Sequence, residues 1–275
     1  MNMDLLRKYA EHNQKNSIFL RQRKGDTAAN TRIGGNPLLP ADFQFPEYDG
    51  KPLSFLAQID CAEIHALDQD NLLPDHGILS FFYELDSQKW GYDPNDAGCA
   101  RVFWFEDCSA LRETVLPDTL AADFRVPAVA VETGCFGDCP DDIDDAVFEE
   151  LTAASVDEDE IYEAFDEMRR EQFADDVRIK LLGYPDRIQG EMQTECELVS
   201  RGHYVGRGYP KLSDAEKAEL HACAENWILL FQFDTVEADD YELMFGDCGR
   251  IYYYIRKDDL AARRFDRVWL ILQCF

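Results

Sequence analysis

Basic residues are scarce in this chain. It has 27 Lys and Arg against 55 Asp and Glu, which gives a formal net charge of -28. Nucleic acids and anionic membrane surfaces attract clustered Lys and Arg, so this charge argues against both as partners. A basic protein would instead be attracted by complementary charge. The composition therefore favours a basic protein partner, and simple solvation of the surface is the alternative.

Long apolar runs are also missing. The longest, Trp227–Phe233 and residues 268–271, have the length of strands and are far too short to cross a membrane. The N-terminal residues MNMDLLRKYAEHNQ are typical of a short amphipathic helix and lack the apolar core of a secretory signal. Nine cysteines, an odd number without CxxC spacing, suit a reducing compartment. We therefore expect a cytoplasmic protein.

Motifs of known catalytic chemistry are absent as well. The five histidines show no HExxH spacing, and no GxSxG elbow, P-loop or dinucleotide fingerprint occurs. Cys135 and Cys139 are close enough to bind a metal or form a redox couple, but a second pair of ligands is missing. We therefore expect no catalytic residue, no metal and no cofactor, and we favour a non-enzymatic protein.

Three strand-like segments occur twice in the same order. The first pair is PLSFLAQID at 52–60 and WILLFQFD at 227–234, each ending with Gln and Asp two positions apart. A glycine then opens an aromatic strand, DHGILSFFY at Gly77 and DCGRIYYYI at Gly249. The third pair is ARVFWFED and DRVWLILQC. Three matches in one order indicate an internal duplication.

Turn segments rich in Gly and Pro precede both copies, GGNPLLP from Gly34 and LGYPDRIQG from Leu182. Each copy predicts a small antiparallel sheet whose apolar face the other copy can cover. We therefore predict a strand-rich α+β fold, with two pseudo-symmetric antiparallel sheet units around one core and an acidic helical insertion between them. The predicted parts of this compact domain are an N-terminal helix with a lead-in strand (1–30), a first repeat unit (31–136), the insertion (137–178) and a second repeat unit (179–275).

These motifs together resemble the bacterial YwqG-like family. The resemblance rests on GGNPLLP, FLAQID, LLPDHGILSFFY, GYPDRIQ, LLFQFD and GDCGRIYYYIRKDDL, and it runs from about Gly34 to the C-terminus. Two positions depart from the family pattern, since Leu182 replaces the first glycine of GGYP and Phe245 replaces a tryptophan. The family is a domain of unknown function, so the resemblance implies a fold but no reaction.

The insertion is dominated by Asp and Glu, but its apolar residues keep a helical spacing. Ile161, Phe165, Met168 and Phe173 predict one helix, and Val147 with Leu151 predicts another. Acidic helix faces usually contact water, and the alternative is that they bind a basic protein, as an inhibitor or toxin-immunity protein does. The candidate partner-binding residues are Asp157, Glu158, Asp159 and Glu160.

The repeated Gln–Asp pairs are candidate ligand-binding residues. In a strand, Gln58 and Asp60 point to one side, and Gln232 and Asp234 do the same. If the copies pack around a twofold axis, the four side chains converge in a cleft that suits a small polar ligand or a reaction. The alternative is structural, with each Gln bound to backbone groups and each Asp capping the next segment.

A basic loop stands out in this acidic chain. The segment RGHYVGRGYPK places Arg201 and Arg207 among glycines and tyrosines. Glycines allow close backbone approach, and Arg can grip a carboxylate or phosphate. The segment is therefore a candidate anion-binding loop, with a mobile surface loop as the alternative. The sequence predicts no oligomeric state.

Overall fold

The computed structural model describes residues 3–25, 29–140, 142–153, 157–172 and 178–275. Within these ranges the chain forms seven α-helices, most of them short. Their bounds are α1 (Met3–His12), α2 (Cys61–Ile64), α3 (Asp145–Ala153), α4 (Glu158–Gln172), α5 (Gln193–Ser200), α6 (Asp214–Ala224) and α7 (Lys257–Ala261).

The strands account for most of the core. Their bounds are β1 (Lys15–Arg23), β2 (Arg32–Ile33), β3 (Leu38–Pro40), β4 (Glu47–Tyr48), β5 (Lys51–Pro52), β6 (Ser54–Asp60), β7 (Ile78–Tyr83), β8 (Ala100–Phe105), β9 (Leu111–Glu113), β10 (Val129–Asp138), β11 (Lys180–Leu182), β12 (Trp227–Phe233), β13 (Val236–Ala238), β14 (Tyr241–Leu243), β15 (Arg250–Arg256) and β16 (Trp269–Gln273).

Ten strands form one antiparallel sheet in the order β16-β15-β12-β11-β1-β10-β2-β6-β7-β8. We call β6-β7-β8 the first wing and β12-β15-β16 the second wing. The long strands β1 and β10 pair along nine positions and separate the two wings. Each wing carries a register shift in its first strand, between Phe55 and Ala57 and between Leu229 and Phe231.

The two wings curl toward each other and enclose the main core. The ring centroids of Phe81 on β7 and Phe231 on β12 lie 4.4 Å apart. Tyr253 on β15 donates a hydrogen bond of 3.0 Å to the backbone oxygen of Phe82. Alternation along the strands makes this arrangement possible, because every second aromatic or aliphatic residue faces the shared core. The sheet is therefore nearly closed around its own apolar face.

The acidic segment between the wings forms the two helices α3 and α4, as its spacing predicts. Ile161, Phe165 and Met168 on α4 are buried against Leu6 on α1 and Leu151 on α3. Phe173, which the sequence assigned to the same helix face, lies outside the described residues. The insertion is therefore a small helical layer with its own apolar core.

The structure confirms a strand-rich α+β fold with a single large antiparallel sheet. The pseudo-twofold relation between two units stays a prediction. Among the described helices, none combines the length and the apolar character needed to span a membrane.

Candidate functional site

The first Gln–Asp pair is bound to neighbouring backbone. Gln58 is fully buried, accepts a hydrogen bond of 3.0 Å from the Leu38 N–H and donates one of 2.7 Å to the Asn30 carbonyl. Asp60 caps α2 by accepting from the Ala62 N–H at 3.0 Å. The two Gln58 bonds hold the segment from Asn30 to Leu38, which contains β2, against β6. A buried amide must find partners for both its oxygen and its nitrogen.

The second Gln–Asp pair makes corresponding hydrogen bonds, but more charged side chains surround it. Gln232 is fully buried, accepts from the Asp186 N–H at 2.7 Å and donates to the Arg178 carbonyl at 2.9 Å. Its amide also donates to the Asp186 carboxylate at 2.7 Å. Asp234 accepts from Arg250 Nε at 2.5 Å. The second pair therefore belongs to an ionic network.

A buried lysine lies at the centre of this network. Lys180 pairs with Gln232 across β11 and β12, and its side chain is 2% exposed. Its Nζ lies 2.9 Å from Asp138 Oδ2 and 3.2 Å from Asp186 Oδ1. Arg169 of α4 reaches the same Asp186 oxygen at 3.8 Å. We call Asp138, Arg169, Lys180, Asp186 and Arg250 the Lys180 cluster.

Charge complementarity keeps the Lys180 cluster ionic. Burial alone would lower the pKa of Lys180, but Asp186 and Asp138 outweigh it and raise that pKa above its usual value. Burial also acts on Asp186, yet Lys180, the Gln232 hydrogen bond and Arg250 bring its pKa below the ordinary range. At Asp138 burial dominates over Lys180 and raises the pKa. The cluster is thus a set of mutually dependent charges.

Local sequence explains how the Lys180 cluster is assembled. Leu182 and Gly183 both adopt positive φ, 61° and 72°, which turns the chain sharply after β11. A side chain at Gly183 would collide with Asp138 Oδ2, at 2.4 Å from the added carbon. The turn lets the Tyr184 N–H donate to that same oxygen at 2.9 Å. The LGYPD motif thus places Asp186 above Lys180.

A large open cleft lies beside Asp234, where β1 and the start of β10 meet the β13–β14 hairpin. We call it the junction cleft, and its volume is about 980 Å³. Gln22 crosses its base by donating to the Thr235 carbonyl at 2.8 Å. Its cationic lining residues are Arg21, Arg23, Lys24 and Arg178, and its acidic ones are Asp234, Glu237, Asp239 and Glu242. Four basic side chains therefore line one cleft of a chain in which Asp and Glu outnumber Lys and Arg.

The four residues of the predicted symmetric site are distributed unevenly around this cleft. Asp234 lines it, whereas Gln58 binds the segment before the first wing and Asp60 caps α2. Within the described residues, the two Gln side chains share no hydrogen-bond partner. A site built from both pairs stays a prediction.

The two candidate arginines differ in their surroundings. Arg201 donates to Glu197 at 2.8 Å and lies 3.3 Å from Glu219, so its charge is already compensated. Arg207 is exposed on the loop that follows α5. An anion site formed by both guanidinium groups stays a prediction.

The candidate partner-binding carboxylates stand at the start of α4. Asp157, Glu158, Asp159 and Glu160 are all exposed. The Asp157 carboxylate accepts from the Asp159 N–H at 3.0 Å, so it also caps the helix. These charges occupy the N-terminal end of α4, before the buried residues Ile161 and Phe165, and they are therefore presented to solvent by a fixed helix.

Sequence reasoning missed the Lys180 cluster, although one signal was available. Lys180 stands alone between apolar residues in RIKLLGYP, where a charged residue in a strand needs a buried partner. One of its two carboxylate partners is distant in sequence, since Asp138 lies 42 positions earlier. No group of three or more potential metal ligands occurs in the part of the chain that the structure describes.

Comparison with known proteins places the chain in a family. A search of curated proteins found no match. Residues 31–274, which include both wings, the insertion and the Lys180 cluster, match the sequence model of one family. The chain therefore belongs to the family described as Domain of unknown function (DUF1963).

Proposed function

We propose that this protein binds a small polar ligand in the junction cleft, without catalysing a reaction. The observation that carries this proposal is the cleft itself, about 980 Å³ in volume and lined on one side by cations and on the other by carboxylates. Ligand sites are usually concave and combine an apolar surface with a few polar groups, and this cleft has both. Opposed charges suit a zwitterionic ligand.

The arrangement of the wings supports placing the ligand at this junction. In our proposal the chain is a YwqG-like protein whose wings are two units related by a pseudo-twofold axis. The supporting observation is that Gln58 and Gln232 bind the backbone of the segment before their own wing in the same way. The cleft is lined by β1 and residues 128–130 from one side and by residues 234–248 from the other.

Ligand-observed NMR tests this proposal. Free amino acids and dipeptides carry both charge signs, whereas inorganic phosphate carries one, and we expect the zwitterions to bind. Arg178→Ala should weaken their binding about tenfold, because a charge-assisted hydrogen bond contributes roughly 1.5–3 kcal/mol. Arg267→Ala is the matched control, since Arg267 is an exposed arginine that contacts Asp266. The proposal fails if no zwitterion binds or if both variants weaken binding equally.

A second candidate function is binding of a basic protein through α4, as an inhibitor or immunity protein does. The observation that favours it is that the carboxylates stand in the first turn of a packed helix, whose apolar residues are buried against α1 and α3. A rigid acidic surface loses little conformational entropy on binding. Complementary charge would then speed association with a basic partner.

Pull-down from the native host at low salt tests this second candidate. The test variant replaces Asp157, Glu158, Asp159 and Glu160 by their amides, which keeps the helix cap because Asn also caps. The control removes the same number of charges at four scattered exposed positions, Glu11, Asp42, Asp49 and Asp70. We expect the first variant to lose the basic partner and the control to retain it. Equal retention, or recovery of no basic protein, contradicts the idea.

A further inference from the structure

A second cavity lies on the far side of the second wing from the junction cleft. It has a volume of about 310 Å³ and is formed where the segment before α5 and the loop after α5 meet β16. Its lining residues are Tyr92, Gln189, Gly190, Glu191, Glu195, Val205, Gly206, Tyr209 and Gln273. We call it the Tyr92–Tyr209 cavity. Its lining includes two carboxylates and, among the described residues, no Lys, Arg or His.

Local hydrogen bonds hold the walls of this cavity in place. The Val205 N–H donates to the Tyr92 carbonyl at 3.0 Å, which fixes the loop after α5 across the opening. Gln273 on β16 accepts from the Ile188 and Gln189 N–H groups and donates to the Gly190 carbonyl. The cavity is thus built from segments that are tied to the sheet and not from a free surface loop.

One carboxylate oxygen in the wall is left without a donor. Glu195 Oε2 is buried and has no hydrogen-bond partner within the described residues. A buried carboxylate oxygen without a hydrogen-bond partner is unfavourable, so a ligand that donates to it removes that penalty. A ligand with an N–H group and a positive charge supplies both the donor and the counter-charge.

We propose that the Tyr92–Tyr209 cavity binds an alkylammonium group, with the Glu195 carboxylate as its ion-pair partner and the two tyrosine rings beside its alkyl chain. Tyrosine faces attract cations, and their apolar edges suit a short methylene chain. The volume matches the lower end of small-molecule sites. The strongly negative charge of the chain draws cations toward it. This proposal is independent of both proposed functions.

The protonation of Glu195 gives the site a pH dependence. Burial, and then the charge of Glu191, raises the pKa of Glu195 to about 7. The other titratable groups around it are Cys196 on α5, Tyr92 in the loop between β7 and β8, and Tyr209 in the loop after α5. A proton and an ammonium group compete for the same carboxylate. Affinity should therefore fall about tenfold between pH 8 and pH 6.

Isothermal titration of the full chain with butylammonium tests the site, and butanol is the neutral control of the same shape. We expect butylammonium to bind at least tenfold more tightly than butanol. Glu195→Gln should remove that preference and the pH dependence, while Tyr209→Leu should weaken binding several-fold. Glu225→Gln, which removes an exposed carboxylate at the end of α6, should bind like the wild type.

One further titration identifies the source of the ammonium group. A blocked tripeptide with a central lysine is titrated in parallel. Stronger binding of butylammonium indicates a free amine as the ligand, and equal or stronger binding of the peptide indicates a lysine side chain of another protein. The proposal is overturned if butylammonium binds no more tightly than butanol, or if Glu195→Gln and Glu225→Gln behave alike.

Discussion

The surroundings of Gln58 and Gln232 differ in charge but not in backbone hydrogen bonding. Each amide oxygen accepts from a backbone N–H, of Leu38 or of Asp186, and each amide nitrogen donates to a carbonyl. Each also pairs across the sheet with a cation, Arg32 in one case and Lys180 in the other.

The cations, however, have different partners. Arg32 donates to the backbone carbonyls of Ala29 and Asn36, whereas Lys180 contacts the carboxylates of Asp138 and Asp186. The Gln58 side thus shows that the shared backbone arrangement needs no ion pair. We infer that the charges on the Gln232 side have another role, and their contacts with β10 and α4 indicate that they anchor the helical insertion to the sheet.

The largest expected difference between the two sides concerns their cations. Lys180→Met leaves Asp138 buried without its counter-charge, and we expect a loss of about 3–5 kcal/mol in the free energy of unfolding. Arg32→Met removes hydrogen bonds to carbonyl groups and should cost about 1–3 kcal/mol. Urea denaturation of both variants measures the difference. If both variants lose the same free energy of unfolding, the ion pairs of the Lys180 cluster add no stability beyond that of the Arg32 hydrogen bonds.

The two glutamines should differ less. Gln58→Leu leaves one N–H and one carbonyl group without partners, and each such group costs about 1–3 kcal/mol when buried. Gln232→Leu leaves the corresponding two groups and also removes a donor from the Asp186 carboxylate. We expect losses of about 2–6 kcal/mol in both cases, with Gln232→Leu more severe by about 1 kcal/mol. Urea denaturation measures both losses. A larger loss of free energy of unfolding for Gln58→Leu than for Gln232→Leu contradicts this expectation.

Asp186 should make the Gln232 side sensitive to acid. The net lowering of its pKa means that its contribution to stability is complete above the ordinary pKa of Asp and is lost as the pH falls from there through the lowered pKa of the folded state. Asp186→Asn should cost about 1.5–3 kcal/mol near neutral pH and less in acid, which gives a shallower decline of stability between pH 7 and pH 3. Leu38 occupies the corresponding position on the Gln58 side and has no charge to lose.

Chemical denaturation at several pH values measures this slope. Asp42→Asn is the control, because it removes one exposed carboxylate and touches no buried pair. If the free energies of unfolding of the Asp186→Asn and Asp42→Asn variants decline with the same slope, the ion pair between Lys180 and Asp186 does not cause the pH dependence of stability.

The sequence predicts those parts of the fold and of the candidate site that depend on residues close together in the chain. Alternating apolar residues and the repeated segments predicted the strands, and the spacing of Ile161 and Phe165 predicted α4, because these signals are local. The hydrogen bonds of Gln58 and Gln232 were foreseen as one alternative from burial alone. The Lys180 cluster was not, because Asp138, Lys180 and Arg250 meet only after β10, β11 and β15 enter one sheet. The cavities likewise depend on how distant loops pack.

The smallest expected effects separate the two aspartates of the repeated pairs. Asp60 acts as a cap, so Asp60→Ala should cost about 0.5–2 kcal/mol, whereas Asp60→Asn should cost less than about 0.5 kcal/mol because Asn caps equally well. Asp234 instead holds the charge of Arg250 at 2.5 Å. Asn cannot replace that charge, so Asp234→Asn should destabilise more than Asp60→Asn. Thermal unfolding of the three variants distinguishes the roles, and equal effects of the two Asn substitutions would show that both aspartates act as caps.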